Sequence, residues 1–218
     1  MARRAVVGTT TMTIKSPSEG YRDNRYIHTQ GGRFYACNPV WRVDAIAHAL
    51  GQTARYRGNA DIFYSVAEHS VLVSLLMEYE VGGDPLEGLH HDDSESVLPD
   101  VSSPFKALFP DLRRFEKERI DPSIREHFGI PAVKTDECGT ADWLALFIEA
   151  AQILPERGED FEDPYGMRPK ALKLRREGWM VRGYQWDHAK GLYLARHHSL
   201  INQRENDAKV RRANTSRV

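Results

Sequence analysis

Cysteine is scarce in this sequence: Cys37 and Cys138 are the only two among 218 residues. Two thiols so far apart form neither a metal-binding pair nor a disulfide framework, which favours a reducing compartment. Long apolar runs are also missing, since none approaches the roughly 20 residues that span a bilayer. The start of the sequence, up to Gly8, lacks the apolar stretch of a signal peptide. We therefore expect a cytoplasmic protein with no membrane partner.

The sequence also lacks an excess of charge of either sign, because 30 basic residues face 31 acidic ones. A protein whose main task is to coat nucleic acid usually carries a strong basic excess, so such a partner is disfavoured. A local basic pocket for a small anion stays open. Hydrophobic residues make up 41% of the chain and gather between residues 45 and 154. This distribution predicts one globular unit with polar ends.

The organisation follows from this distribution of polar and apolar residues. We expect a flexible arm over residues 1–30, one domain over 31–201, and a basic, disordered tail over 202–218. Near the start of the domain, Gly31 and Gly32 predict the turn of a short hairpin.

Apolar residues at helical spacing predict an all-α domain behind that hairpin. Gly51 is the expected C-cap of the first helix, and Pro85 suits the first turn of the third. The predicted helices cover residues 43–50, 65–79, 86–95, 112–128, 136–154 and 186–201. A polar, acidic linker is expected over residues 155–169.

Several ionisable residues lie where these apolar helices should be buried. His69 lies in the middle of the most apolar helix, His91 and Asp92 lie near the end of the next, and Asp142 lies in a later one. Buried ionisable groups are costly unless they are paired or ligated. Such groups on several helices of one bundle therefore indicate a metal site.

Two imidazoles and two carboxylates suit Zn, Mn, Fe, Co or Ni, and Mg stays open. Four protein ligands leave positions for water and substrate. Glu95 is expected on the same helix face as His91, where it could accept a proton from that water.

Three segments resemble the HD-domain phosphohydrolase superfamily. They are residues 64–70 (YSVAEHS), 89–95 (LHHDDSE) and 141–142 (AD). More narrowly, they are similar to the branch of bacterial 5'-deoxynucleotidases and viral deoxynucleoside triphosphohydrolases, including dATP triphosphohydrolases. The similarity extends over about residues 31–154. It is specific, because separate segments match in order.

The resemblance implies an HD-domain helical bundle with His69, His91, Asp92 and Asp142 as metal ligands. It also implies that Glu95 is the catalytic carboxylate that positions or activates the attacking water.

Four further roles follow from the resemblance. Asp100 matches a catalytic-site acid beside the sugar, and Arg55 matches a phosphate-binding arginine. Tyr56 holds the position of an aromatic residue that packs on the nucleoside, although it could equally belong to the core. Lys106 matches a basic residue near the phosphates.

The expected function is metal-dependent hydrolysis of a deoxynucleotide in the cytoplasm of a bacterial cell or a phage-infected host. The products would be deoxynucleoside and triphosphate from a triphosphate, or deoxynucleoside and phosphate from a 5'-monophosphate. The alternative is a nucleotide-binding regulator with an HD fold and little turnover. The sequence leaves open whether the protein is a homo-oligomer.

Two residues depart from the family pattern. His90 lies where relatives commonly have an apolar residue, and Asp93 lies where a small residue is usual. They could tune the site, bind a second ion or face water. His197 and His198 on the last helix are expected on a solvated face.

Overall fold

The structure is a computed structural model that describes residues 26–99, 101 and 108–215. Strand β1 (Tyr26–Thr29) pairs antiparallel with β2 (Gly32–Tyr35). Gly32 has a φ of 103°, a conformation that glycine adopts without steric cost. The predicted hairpin is confirmed. Of the arm predicted over residues 1–30, residues 1–25 lie outside the described part of the chain.

Helices form most of the described chain, which confirms the mostly helical architecture. The elements are α1 (Val43–Gln52), a 3-10 turn (Arg55–Gly58), α2 (Val66–Leu76) with a π turn (Met77–Val81), α3 (Pro85–His90), a 3-10 turn (Asp93–Ser96), α4 (Pro110–Phe115) with a π turn (Glu116–Ile120), α5 (Asp121–Phe128), α6 (Asp136–Ile153), α7 (Arg168–Arg176) and α8 (Trp186–Thr215).

Side-chain caps fix the start of the helices that carry the site. The hydroxyl of Ser65 accepts the Glu68 N–H at the start of α2, and that of Thr135 accepts the Cys138 N–H at the start of α6. Asp84 caps α3, which begins at Pro85 as predicted. Each cap satisfies a backbone donor that the first helical turn leaves without a partner.

Helix α2 is the centre of the fold because it contributes to both hydrophobic clusters. One cluster joins α2 to α1, α3, α5 and α8, and the other joins it to α6 and α7. A helix apolar around most of its circumference is a buried helix. His69, in the middle of α2, is therefore fully buried.

Gly51 is not the C-cap that was predicted for α1. The last residue of the helix is Gln52, and its C-cap is Thr53. A Cβ atom at Gly51 would lie 2.7 Å from the Trp186 carbonyl oxygen. The glycine therefore allows close packing of α1 against the start of α8, a contact that local sequence does not reveal.

Several predicted boundaries are also wrong. The helix expected over 86–95 ends at His90, and π turns interrupt the stretches expected as the helices 65–79 and 112–128. Helix α7 was not predicted at all; it begins inside the expected linker, and its apolar side packs on α6 through Ala171 and Leu174.

The tail predicted to be disordered from residue 202 is helical through Thr215. Residues 202–215 contain neither glycine nor proline and are rich in helix-forming Gln, Arg, Glu, Lys and Ala. They therefore continue α8. Within the described part of the chain, no helix is long and apolar enough to cross a membrane.

Candidate metal centre

Four predicted ligands meet at one place although three segments of the chain carry them. His69 lies on α2, Asp142 lies on α6, and His91 and Asp92 follow the end of α3. The Nε2 atoms of His69 and His91 are 3.2 Å apart. An Asp142 oxygen lies 3.3 Å from the His69 Nε2, and an Asp92 oxygen lies 3.3 Å from the His91 Nε2. Both carboxylates thus lie within 3.7 Å of both imidazole Nε2 atoms.

This arrangement could hold a metal ion. The ligand atoms of His69, His91 and Asp142 all lie within 4.8 Å of one another. Asp92 is outside that mutually close set, but its Oδ2 also lies 3.5 Å from the His69 Nε2. Mixed imidazole and carboxylate donors suit a divalent transition metal.

The site is open to solvent on one side. The His69 and His91 side chains are 0% and 1% exposed, whereas those of Asp92 and Asp142 are 24% and 32% exposed. The imidazoles thus form the floor, and the carboxylates lie at the opening. A ligand from solvent would approach on the carboxylate side.

The electrostatics of the site also fit a cation. Burial opposes ionisation of Asp142, but hydrogen bonds from His69 and His91, together with the charges of Lys134 and His91, outweigh it and hold the pKa of that carboxyl well below its usual range. Burial would lower the pKa of His91, but Asp92 and Asp142 outweigh it and raise that pKa well above the ordinary value. The carboxylates thus favour positive charge between them, which a divalent cation would supply.

Glu149 supports His69 from behind and was missed by sequence analysis. It is fully buried, and its Oε1 lies 2.6 Å from the His69 Nδ1. A proton on Nδ1 satisfies this contact and leaves Nε2 as the ligand atom. The His91 ring is oriented similarly, since its Nδ1 lies 2.8 Å from the Gly88 carbonyl oxygen.

Glu149 also holds the turn that carries Arg55 and Tyr56. The Tyr56 hydroxyl donates to its Oε2 at 2.6 Å, and the Arg55 Nε lies 3.3 Å from the same atom. Tyr56 and Arg57 have φ values of 54° and 55°, a left-handed conformation that is strained for residues other than glycine. The network around Glu149 holds this strained turn against the ligands.

The turn brings one predicted substrate residue to the site. A nitrogen of Arg55 lies 3.5 Å from the Asp92 carboxylate, and its side chain is 16% exposed. Tyr56 instead directs its hydroxyl into the protein and packs against the core, which favours the core alternative over a stacking platform.

Lys134 is a second cation at the opening that sequence analysis missed. Its Nζ donates to the Asp142 Oδ2 at 2.8 Å, and its side chain is 40% exposed. The residue precedes the cap of α6, where the sequence contains no local signal for a site.

The remaining predicted residues are placed only in part. Glu95 is half-buried on the 3-10 turn after the ligand pair, and its N–H donates to the Asp92 carbonyl oxygen at 3.0 Å. The sequence predicted that Glu95 and His91 share one helix, and this prediction is wrong, because the helix ends at His90. Asp100 and Lys106 lie outside the described residues.

A first prediction follows from the contact between Glu149 and His69. In Glu149→Gln the amide keeps the size of the side chain but loses the charge that orients the imidazole. We expect the affinity for a divalent metal to fall about 10- to 100-fold, the range for loss of a group that orients a ligand. Competition with a chromogenic chelator measures this affinity.

Glu78→Gln is the matched control, because Glu78 pairs with Arg196 instead of a ligand. Equal metal affinities for Glu149→Gln and this control would contradict the role of Glu149.

Known proteins similar to the chain include two bacterial proteins. The uncharacterized protein YfdR of Escherichia coli is 36% identical over 132 residues, which are 59% of this chain and 72% of YfdR. An uncharacterized protein of Rhodobacter capsulatus is 31% identical over 169 residues, which are 73% of this chain and 85% of that protein. No protein-family model matches the chain.

Proposed function

The chain belongs to the family of YfdR and its Rhodobacter relative, and we propose that it is a metal-dependent phosphohydrolase acting on deoxynucleotides. The supporting observation is that the carboxylates of Asp92 and Asp142 lie within 3.7 Å of the Nε2 atoms of both His69 and His91, although three segments of the chain carry these residues. We also propose that the helical bundle is an HD domain. The order of these ligands along the chain, His, His-Asp, Asp, supports that assignment.

The opening of the site has the charges that a phosphate requires. Arg55 and Lys134 lie beside the exposed carboxylates of Asp92 and Asp142. Arginine binds phosphate through a planar fork of donors. A phosphate that enters the site would bring its oxygens within reach of both cations.

A divalent cation bound by these ligands would acidify water and polarise a phosphoryl oxygen. The chain's own residues would do the remaining work. Glu95 would accept the proton of the attacking water, and Arg55 and Lys134 would stabilise the charge on the phosphoryl oxygens. Lys106 is proposed to contact the phosphates as well.

The proposal leaves two substrates open. Hydrolysis of a deoxynucleoside 5'-monophosphate would release phosphate. Hydrolysis of a deoxynucleoside triphosphate between its sugar and its first phosphate would release triphosphate. A panel of deoxynucleoside mono- and triphosphates, with and without Mn²⁺ or Co²⁺, separates them by the product released. Tight binding of the panel without any release would instead favour a nucleotide-binding regulator.

A second prediction concerns the sugar. A deoxynucleotide enzyme must reject the ribonucleotide, which differs only in its 2'-hydroxyl. We expect the wild type to prefer deoxy substrates by at least about tenfold in kcat/KM, equivalent to roughly 1.4 kcal/mol. Asp100, the acid proposed beside the sugar, would leave that hydroxyl no room, so Asp100→Ala should narrow the ratio.

Competition between matched deoxy and ribo substrates measures this ratio directly. Equal use of both sugars by the wild type would contradict deoxynucleotide specificity and leave the metal-dependent hydrolysis standing.

A further inference from the structure

Four buried polar side chains form a cluster beside the metal centre, here called the doublet cluster: His90, Asp93, Tyr193 and His197. The His90 Nδ1 lies 2.6 Å from an Asp93 oxygen, and the Tyr193 hydroxyl donates to the other at 2.5 Å. The His90 Nε2 lies 2.9 Å from the His197 Nδ1. All four side chains are at most 8% exposed. His90 and Asp93 therefore do not face water, and His197 does not lie on the solvated face predicted for it.

One arrangement of protons satisfies these three contacts, and the Tyr193 oxygen, 2.9 Å from the His90 Nδ1, can share the proton on Nδ1. Asp93 accepts hydrogen bonds from His90 and Tyr193, and the His90 Nε2 accepts one from the His197 Nδ1. Burial, with help from His90, His198 and His127, lowers the pKa of His197 to about 4, so its ring is neutral near pH 7. Phe128 stacks on the His90 ring with 3.7 Å between ring centroids. The cluster thus fixes the His90 ring by contacts at its edge and on its face.

The position of the cluster in the chain gives it a consequence for the metal centre. Helix α3 ends at His90, and the next 3-10 turn begins at Asp93. The two ligands His91 and Asp92 occupy the break between these elements, where no continuous helix holds the backbone. His90 and Asp93 flank this break, and α8 holds both through Tyr193 and His197.

We propose that the doublet cluster is a positioning network through which α8 fixes His91 and Asp92 in their metal-binding geometry. The inference rests on the proposed metal centre. Burial of the Asp93 carboxylate is costly, and apolar side chains of similar volume often stabilise a core at least as well as a buried charge. A buried polar network, by contrast, specifies one arrangement of the backbone that carries it.

Tyr193→Phe tests the network because it removes one hydroxyl and keeps the ring in the core. We expect the dissociation constant for Co²⁺ to rise about tenfold, toward the lower end of the range for groups that orient ligands. The visible absorption bands of bound Co²⁺ should also change, because they report ligand geometry. Tyr184→Phe is the matched control, since its ring stacks on His188 outside the cluster.

His197 supplies an independent pair of variants. Asn can place an amide donor near the position of the histidine Nδ1, so His197→Asn should retain wild-type Co²⁺ binding, whereas His197→Phe should weaken it. Chelator competition measures binding, and thermal unfolding of the metal-free proteins measures stability separately. Wild-type affinity and spectra in both Tyr193→Phe and His197→Phe would overturn the network. Absence of Co²⁺ binding by the wild type would overturn the metal centre, and this inference with it.

Discussion

Replacing Asp92 with alanine is expected to remove bound metal and hydrolysis together. The carboxylate lies within 3.5 Å of the Nε2 atoms of both His69 and His91, and it is one of two acids that would neutralise a cation there. Burial opposes ionisation of Asp92, but the charge and hydrogen bond of His91 and the charge of His69 together outweigh it and lower the Asp92 pKa, which favours the ionised form required of a ligand. Metal analysis of the purified protein and product release should both fall to background.

Asp44→Ala is the control, since that acid pairs with Arg42 at the surface. It should keep wild-type metal content. His91→Ala should behave like Asp92→Ala. Full metal occupancy in Asp92→Ala would remove that residue from the ligand set.

Replacing Glu95 with alanine should separate catalysis from metal binding. We expect turnover to fall by about 10² to 10⁴, the range for one general acid–base group. Metal content and KM should change much less, because Glu95 is proposed to act on water and is not one of the four ligands. Steady-state kinetics and metal analysis of the same preparation measure both quantities.

Glu95→Gln keeps the shape of the side chain and removes its basicity, so the same loss is expected. Undiminished turnover in either variant would mean that another group accepts the proton.

The parts of the fold that the sequence predicts are those with strong local signals. Ser65 followed by the apolar run of α2 marks a capped, buried helix, and a histidine within that run marks the site. Pro85 after Asp84 is also a local signal, because a capping acid followed by proline is typical of the start of a helix. The glycines of the hairpin are a similar signal.

The parts that could not be predicted depend on contacts between distant residues. Glu149 is 80 residues from His69 and looks like a single acid in the apolar second half of α6. Its spacing of two helical turns from Asp142 was the available signal. His90 and Asp93 find their partners 100 or more positions away, or across a helix break, so the local sequence does not reveal their burial. The extent of α8 was missed because charged residues suit both a helix and a disordered tail.

The most direct measurement is a titration of chelator-stripped wild-type protein with Mn²⁺ or Co²⁺ while product release from a deoxynucleotide is followed. The proposal of one metal ion held by His69, His91, Asp92 and Asp142 predicts no release at the start. Activity should then rise and saturate near one bound ion per chain. Undiminished release by the stripped protein, or bound metal without release of phosphate or triphosphate from any deoxynucleotide, would contradict it.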